Sequence, residues 1–243
     1  MLNYLHAEIY RLFRKKSLFI FSGLALLAYL VTIFIRSGNL NSYSILKDAS
    51  DLFSLLPPIV GGVLFAAIYT DDLSSKNLST LVGFGLSKSK IVVAKLILAL
   101  MTLVLIFGLL PLLMYLIYAG LGWAASGNMM ANVYLLSGRF ILLVMIFMAF
   151  AGVVVYGFQR STAAIVAYLL LSLGAIGQLL TLILDKILPN ASQYLPSNII
   201  GQLHLNLMTG EGAIVWLGMG LLAYVVMSII VSVMLFNKKE MEF

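Results

Sequence analysis

The sequence predicts an all-α integral membrane fold with six transmembrane helices, and three observations carry that prediction. The first is composition. Residues of the AVILMFWYC set make up 62% of the 243 and charged residues only 10%, with a mean hydropathy of +1.08. A soluble domain carries roughly 25% charged residues, and a water-soluble fold this poor in charge would expose large apolar patches. The second observation is the length of the uncharged runs. A bilayer core of about 30 Å needs roughly 20 apolar residues per helix, and runs of that order recur along the chain. The third is the placement of Lys and Arg, which lie mostly on one side of the spans. A soluble enzyme, a disordered chain and a nucleic-acid module are thereby excluded, despite a net charge of +6. There is no cysteine, so disulfides, iron–sulfur sites and thiol nucleophiles are excluded as well.

Taken in chain order, residues 2–16 read as an amphipathic helix lying along the membrane interface. Leu2, Leu5, Ile9, Leu12 and Phe13 recur at helical spacing, while His6, Glu8, Arg11, Arg14 and Lys15 are polar. Such a segment buries its apolar face at the headgroup boundary and attracts anionic lipid with its bases. The first span follows at 17–35. Its uncharged run exceeds the ~7–15 residues of a signal-peptide core and no A-x-A site follows, so it reads as a retained anchor. The second span, 52–70, opens near Pro57–Pro58, which should kink it or mark its entry.

The loop 71–95 is the longest on the basic side. Leu78, Leu81 and Val82 fall at i, i+3 and i+4, predicting a short helix from about Ser75 to Phe84 that Gly83 and Gly85 can end. Ser87 can cap the next helix, with Lys88, Lys90 and Lys95 near the headgroups. A short apolar-faced helix outside the bilayer needs cover. Either it folds back onto the protein or lipid, or a soluble partner sits on it.

The third span is expected at about 96–122, followed by an external loop over 124–138, where Ser126, Asn128, Asn132 and Ser137 cluster. Spans four and five, 140–158 and 161–184, are joined only by Gln159–Arg160, which predicts an antiparallel hairpin. The segment 185–211 is broken by Pro189 and Pro196. In it Ile199, Ile200, Leu203 and Leu207 share a face, as a helix tucked against the outer mouth or an amphipathic surface segment. The sixth span is 212–236. With the N-terminus in the cytoplasm, eleven of the fifteen Lys and Arg lie inside and four outside, so the inner face carries the whole +6 and both termini are cytoplasmic. Polar residues within spans, notably Tyr29, Tyr69, Tyr168 and Gln178, either line a path or satisfy one another between helices.

Reactive chemistry is missing. His6 and His204 fall on opposite sides of the membrane, no HExxH occurs, and no predicted span contains Asp, Glu or His. Intramembrane proteases and proton-coupled carriers usually need ionisable groups at depth. GFGLSKS has serine at position 87 where a phosphate loop requires glycine, so the chain itself is not expected to bind ATP. No catalytic residue and no metal ligand set is expected.

Together these residues resemble the permease subunits of type-2 ATP-binding-cassette (ABC) exporters. The opening AEIYRLFRKKSLFI is similar to that family's N-terminal interface (elbow) helix running into the first span. Leu78–Phe84 resembles its coupling helix, and SKSKIVVAK from Ser87 to Lys95 the segment that follows. Lys88 stands where that family usually has arginine, and Lys76–Asn77 replaces a usual Gly-Thr.

The resemblance implies one permease domain over 1–243. Its coupling residues would be Leu78, Leu81, Val82, Phe84 and Lys88, and its interface helix would use Leu5, Ile9, Leu12, Arg11 and Arg14. Cytoplasmic ABC ATPase subunits would dock there, holding the ATP and Mg that this chain does not bind, and a second permease copy or paralogue would complete the path. The substrate would be an antimicrobial or amphipathic toxic peptide, or a drug, exported across a bacterial plasma membrane. Two other classes stand beside this one: a stand-alone membrane enzyme acting on lipid, and a non-transporting membrane protein that confers peptide immunity.

Overall fold

The computed structural model describes residues 2–16, 19–20, 23–24, 27, 31, 50–51, 53–70, 73, 77–120, 127–209 and 214–238. Most of the predicted first span, Tyr29 included, lies outside the described residues, and so do Lys76 and the 121–126 connection.

The described chain is helical. In order it forms α1 (Leu2–Phe13), α2 (Phe53–Thr70), α3 (Asn77–Gly83), α4 (Lys88–Gly120), α5 (Gly127–Phe158), α6 (Ser161–Ser172), α7 (Ala175–Ile187), a 3₁₀ turn (Ala191–Tyr194), α8 (Pro196–Thr209) and α9 (Ile214–Lys238). Among the described residues, α2, α4, α5 and α9 are each long and apolar enough to cross a membrane. The pair α6 and α7 counts as a fifth span if taken together. The chain is a multi-pass membrane protein by this measure.

Three expectations are corrected. The predicted fifth span, 161–184, is not one rod. It breaks at Leu173–Gly174, and its halves are bent by 65°. Gly174 has φ +77°, the left-handed conformation that glycine adopts without a Cβ penalty and that stops a helix. At ~1.5 Å per residue each half is about 20 Å long, short of a ~30 Å hydrocarbon core.

The second correction is the external loop over 124–138. From Gly127 onward those residues are helix, the first turns of α5. Ser137 shows why their polarity misled. It is buried, and its hydroxyl donates to the carbonyl of Phe107 on α4. Pro111 lies four residues after Phe107 inside α4 and has no N–H to offer that carbonyl. Ser137 therefore repairs the hydrogen bond that Pro111 removes, as an apolar surround requires. Replacing Ser137 with alanine should leave the Phe107 carbonyl bare and cost about 1–3 kcal/mol. Thermal denaturation in detergent reads that loss, and a companion Pro111→Ala should recover much of it.

The third correction concerns Lys95, expected near the headgroups. It is 1% exposed and sits inside the packing of α1, α2 and α4.

Span two is locally unwound into two π-helical stretches, Pro57–Gly61 and Ala66–Thr70. The prolines cannot donate within the first. The Pro57 carbonyl accepts the Tyr168 hydroxyl at 2.8 Å, and Gly61 makes room for it: a Cβ there would lie 2.0 Å from the Tyr168 oxygen. The expected kink at Pro57–Pro58 is thus a widened turn locked to α6. The Gln159–Arg160 turn is as tight as expected, with Gln159 at φ +53° and α6 starting at Ser161.

The core is aromatic along its length. Tyr168 stacks on Phe65 at 5.0 Å, Phe65 meets Tyr69 at 4.8 Å, Tyr69 meets Tyr156 edge-on at 6.3 Å, and Tyr156 meets Phe236 at 4.9 Å. Only Leu221, Ser228, Ser232 and Phe236 of α9 are buried, at spacings of seven and four, so one stripe of α9 faces the bundle. Trp216, Met219, Leu222, Met227 and Ile230 are exposed and suited to lipid.

Candidate functional site

The densest polar structure lies where α1 and α3 meet the ends of α2 and α4. Glu8 and Leu12 of α1 are buried and Ile9 packs on the core, while Leu5 and Arg11 are half-buried and Arg14 is exposed. Glu8 Oε2 accepts from Lys95 Nζ at 2.9 Å and from Arg11 at 2.8 Å. Lys95 also donates to the Ile68 carbonyl at 3.0 Å, and Lys15 donates to the Ala67 carbonyl at 2.7 Å. Both carbonyls belong to the π-helical end of α2, where backbone acceptors outrun their intrahelical donors and favour cations. Two lysines from different elements thus cap α2, and Glu8 offsets the charge. The Arg14 guanidinium lies over the Tyr10 ring, 4.5 Å from its centroid.

Next to this cluster, α3 occupies the expected place and ends at Gly83; the expected start at Ser75 lies outside the described residues. It ends in a Schellman turn: Gly85 has φ +85°, its N–H bonds the Val82 carbonyl, and the Leu86 N–H bonds the Leu81 carbonyl. Leu78 is buried in the core, and Leu81 and Val82 are half-buried against it. Phe84, one residue past the helix, is 84% exposed. Ser87 sits at the cap of α4, its carbonyl accepting the Ile91 N–H. Lys88 does not point away from the bundle. Its ammonium donates to the Phe236 carbonyl at 2.8 Å and lies 5.2 Å from the centre of that ring.

The candidate path residues separate. Tyr69 and Tyr168 are buried in the aromatic core, and neither borders the cavity at the α6–α7 break or the one between α5 and α8. Gln178 does border one, a space of about 390 Å³ at the α6–α7 break, with Phe150, Thr181, Asn198 and Tyr224. Tyr224 donates to the Tyr194 carbonyl at 2.8 Å and ties α9 to the 3₁₀ turn.

The other cavity, about 310 Å³, lies between α5 and α8. Arg139 and His204 are its charged and titratable groups, with Tyr134 beside them. His204 is 8% exposed and its Nδ1 has no hydrogen-bond partner among the described residues. Burial holds the imidazole below its ordinary pKa, and the Arg139 charge adds to this. A bond to the Leu135 backbone works the other way. A base depressed in the folded state loses its stabilising contribution as pH falls through its unfolded value, ordinarily 6.5, toward the folded one. The melting temperature should therefore drop on acidification below that point, and His204→Gln should flatten the slope in a pH series of thermal melts.

Sequence reasoning missed the Glu8–Lys95 pair and the Arg139–His204 cavity. Glu8 was legible, because it lies three residues after Leu5 and four before Leu12, on the buried face of α1. The cavity had no local signal, since α5 and α8 are remote in sequence. Among the described residues no cluster of three or more His, Cys, Asp or Glu side chains could hold a metal ion. No protein-family model and no curated protein matches this chain.

Proposed function

We propose that this chain is the membrane-spanning permease subunit of an ABC exporter in a bacterial plasma membrane, with both termini cytoplasmic and ATP hydrolysis supplied by separate ATPase subunits. The observation that carries the proposal is α3. It is a seven-residue helix anchored by Leu78 in the core, while the Phe84 ring is left 84% exposed at its tip. An aromatic ring held out on a helix rooted in the bundle suits a partner's apolar pocket, the usual seat of a binding hot spot.

Force applied at α3 would reach the spans by two routes. Leu78 and Leu81 pack on the core that α2 and α4 share. The Glu8–Lys95 pair joins α1 to α4 beside it. In this account α1 is the elbow helix, α3 the coupling helix, and Lys88 a brace between α4 and α9 rather than a contact to the ATPase. A second permease copy or paralogue completes the path, and an amphipathic peptide or drug is the cargo. The cavity at the α6–α7 break, with Gln178, Thr181 and Asn198 set among Phe150, Leu171 and Tyr224, has the mixed lining such a cargo needs.

Extraction of the full chain from its native membrane should bring a stoichiometric ATP-hydrolysing subunit through affinity purification. Its absence, with transport or resistance intact in cells lacking any paired ATPase, would sink the proposal.

A further inference from the structure

The cavity between α5 and α8 has no part in the coupling end of the bundle, and its chemistry is specific. It is lined by apolar side chains, among them Leu135, Leu142 and Leu207, around one guanidinium and one imidazole. Gly138 opens onto it. Nothing lies within 4 Å of the position a Cβ would take there, so no neighbour demands a glycine in this helical turn. Glycine weakens a helix interior relative to alanine, and its effect at 138 is to leave the space open. Among the described residues the His204 Nδ1 has no partner, although the residue is buried. The ring lies beside the Leu135 backbone, and a neutral imidazole carries its proton on one nitrogen and a lone pair on the other. With the proton on the far nitrogen, the neutral ring offers Nδ1 as an acceptor. Depth supplies the last constraint. Between Arg139 and Phe158, where α5 turns into α6, the helix runs roughly 28 Å at ~1.5 Å per residue, close to the thickness of a hydrocarbon core. With the α5–α6 turn set at one membrane face, Arg139 falls at headgroup level on the opposite one.

We propose that this cavity binds a phospholipid with a hydroxylated head group. Its phosphate would sit on Arg139, a head-group hydroxyl would donate to His204 Nδ1, and an acyl chain would lie along Leu135, Leu142 and Leu207. Guanidinium matches phosphate by paired donors, the hydroxyl satisfies the unpaired nitrogen, and the apolar lining takes the chain. The proposal rests on the membrane placement of α5 and not on the transport function.

The test is native mass spectrometry of the full chain released from bilayers of phosphatidylcholine with a minor share of phosphatidylglycerol. The wild type should retain phosphatidylglycerol selectively. Arg139→Gln should weaken retention about tenfold, the usual loss for a charge-assisted hydrogen bond. Gly138→Leu fills the space from a position that tolerates a side chain and should do the same without lowering the melting temperature. Arg160→Gln, at the far end of α5, should change nothing. His204→Phe should reduce retention of phosphatidylglycerol but not of phosphatidylmethanol, which lacks the hydroxyl. Equal retention of both bilayer lipids, or unchanged retention in both Arg139→Gln and Gly138→Leu, would overturn the proposal. Full displacement by inorganic phosphate would also overturn it, by showing a phosphate site that does not read lipid.

Discussion

Replacing Glu8 with alanine should lower the stability of the protein by about 3–5 kcal/mol, the cost of leaving one member of a buried ion pair uncompensated. The charge that loses its carboxylate is Lys95, which is 1% exposed and also donates to the Ile68 carbonyl at 3.0 Å. The reciprocal Lys95→Met should cost less, because Glu8 keeps Arg11 at 2.8 Å and methionine preserves the packed volume. The double variant Glu8→Ala with Lys95→Met removes both charges and should recover most of the loss, since a buried pair replaced by apolar groups is often near neutral. A double-mutant cycle by thermal melts in detergent measures the coupling directly. Additive losses would show that the pair does not join α1 to the bundle.

The second large effect is functional. Phe84→Asp should leave the fold intact, because the ring is 84% exposed and surface substitutions usually move stability by no more than about 0.5 kcal/mol. Its effect on ATPase docking should be far greater. Losing an aromatic hot spot costs about 2–4 kcal/mol, which is roughly thirtyfold to several-hundredfold in affinity. Leu78→Asp should also abolish docking, but by unfolding α3, since Leu78 is buried in the core. The pair of variants therefore separates a contact from a scaffold. If Phe84→Asp binds the ATPase as the wild type does, α3 is not the docking element, and burial of its apolar face against the bundle is its whole role.

The apolar runs were legible because a bilayer imposes one length on each span. The runs at 52–70, 140–158 and 212–236 each coincide with most of a helix in α2, α5 and α9. The hairpin at Gln159–Arg160 was legible for the same reason, as two residues leave no other path. The α6–α7 break was not. Leu-Ser-Leu-Gly is apolar enough to pass as span, and only the left-handed φ of Gly174 marks the stop. The helical turns of α5 before residue 140 were hidden by a tertiary event. Ser137 reads as loop in one dimension and as the missing donor for Phe107 in three. At the candidate site, helical spacing located α3 and placed Leu78 inward, but the inward turn of Lys88 depends on Phe236, at the far end of the chain. Contacts between remote elements leave no local pattern, and the two lysines that cap α2 are of this kind.

The most direct test of the central claim is ATP hydrolysis by the complex in proteoliposomes. The full chain is purified with any ATPase that stays bound to it, and hydrolysis and peptide export are followed together for the wild type and Phe84→Asp. The account predicts Mg-dependent hydrolysis coupled to export in the wild type, with both falling to background in Phe84→Asp while the variant keeps its wild-type melting temperature. A wild-type chain that carries no ATPase and turns over lipid without ATP would contradict it.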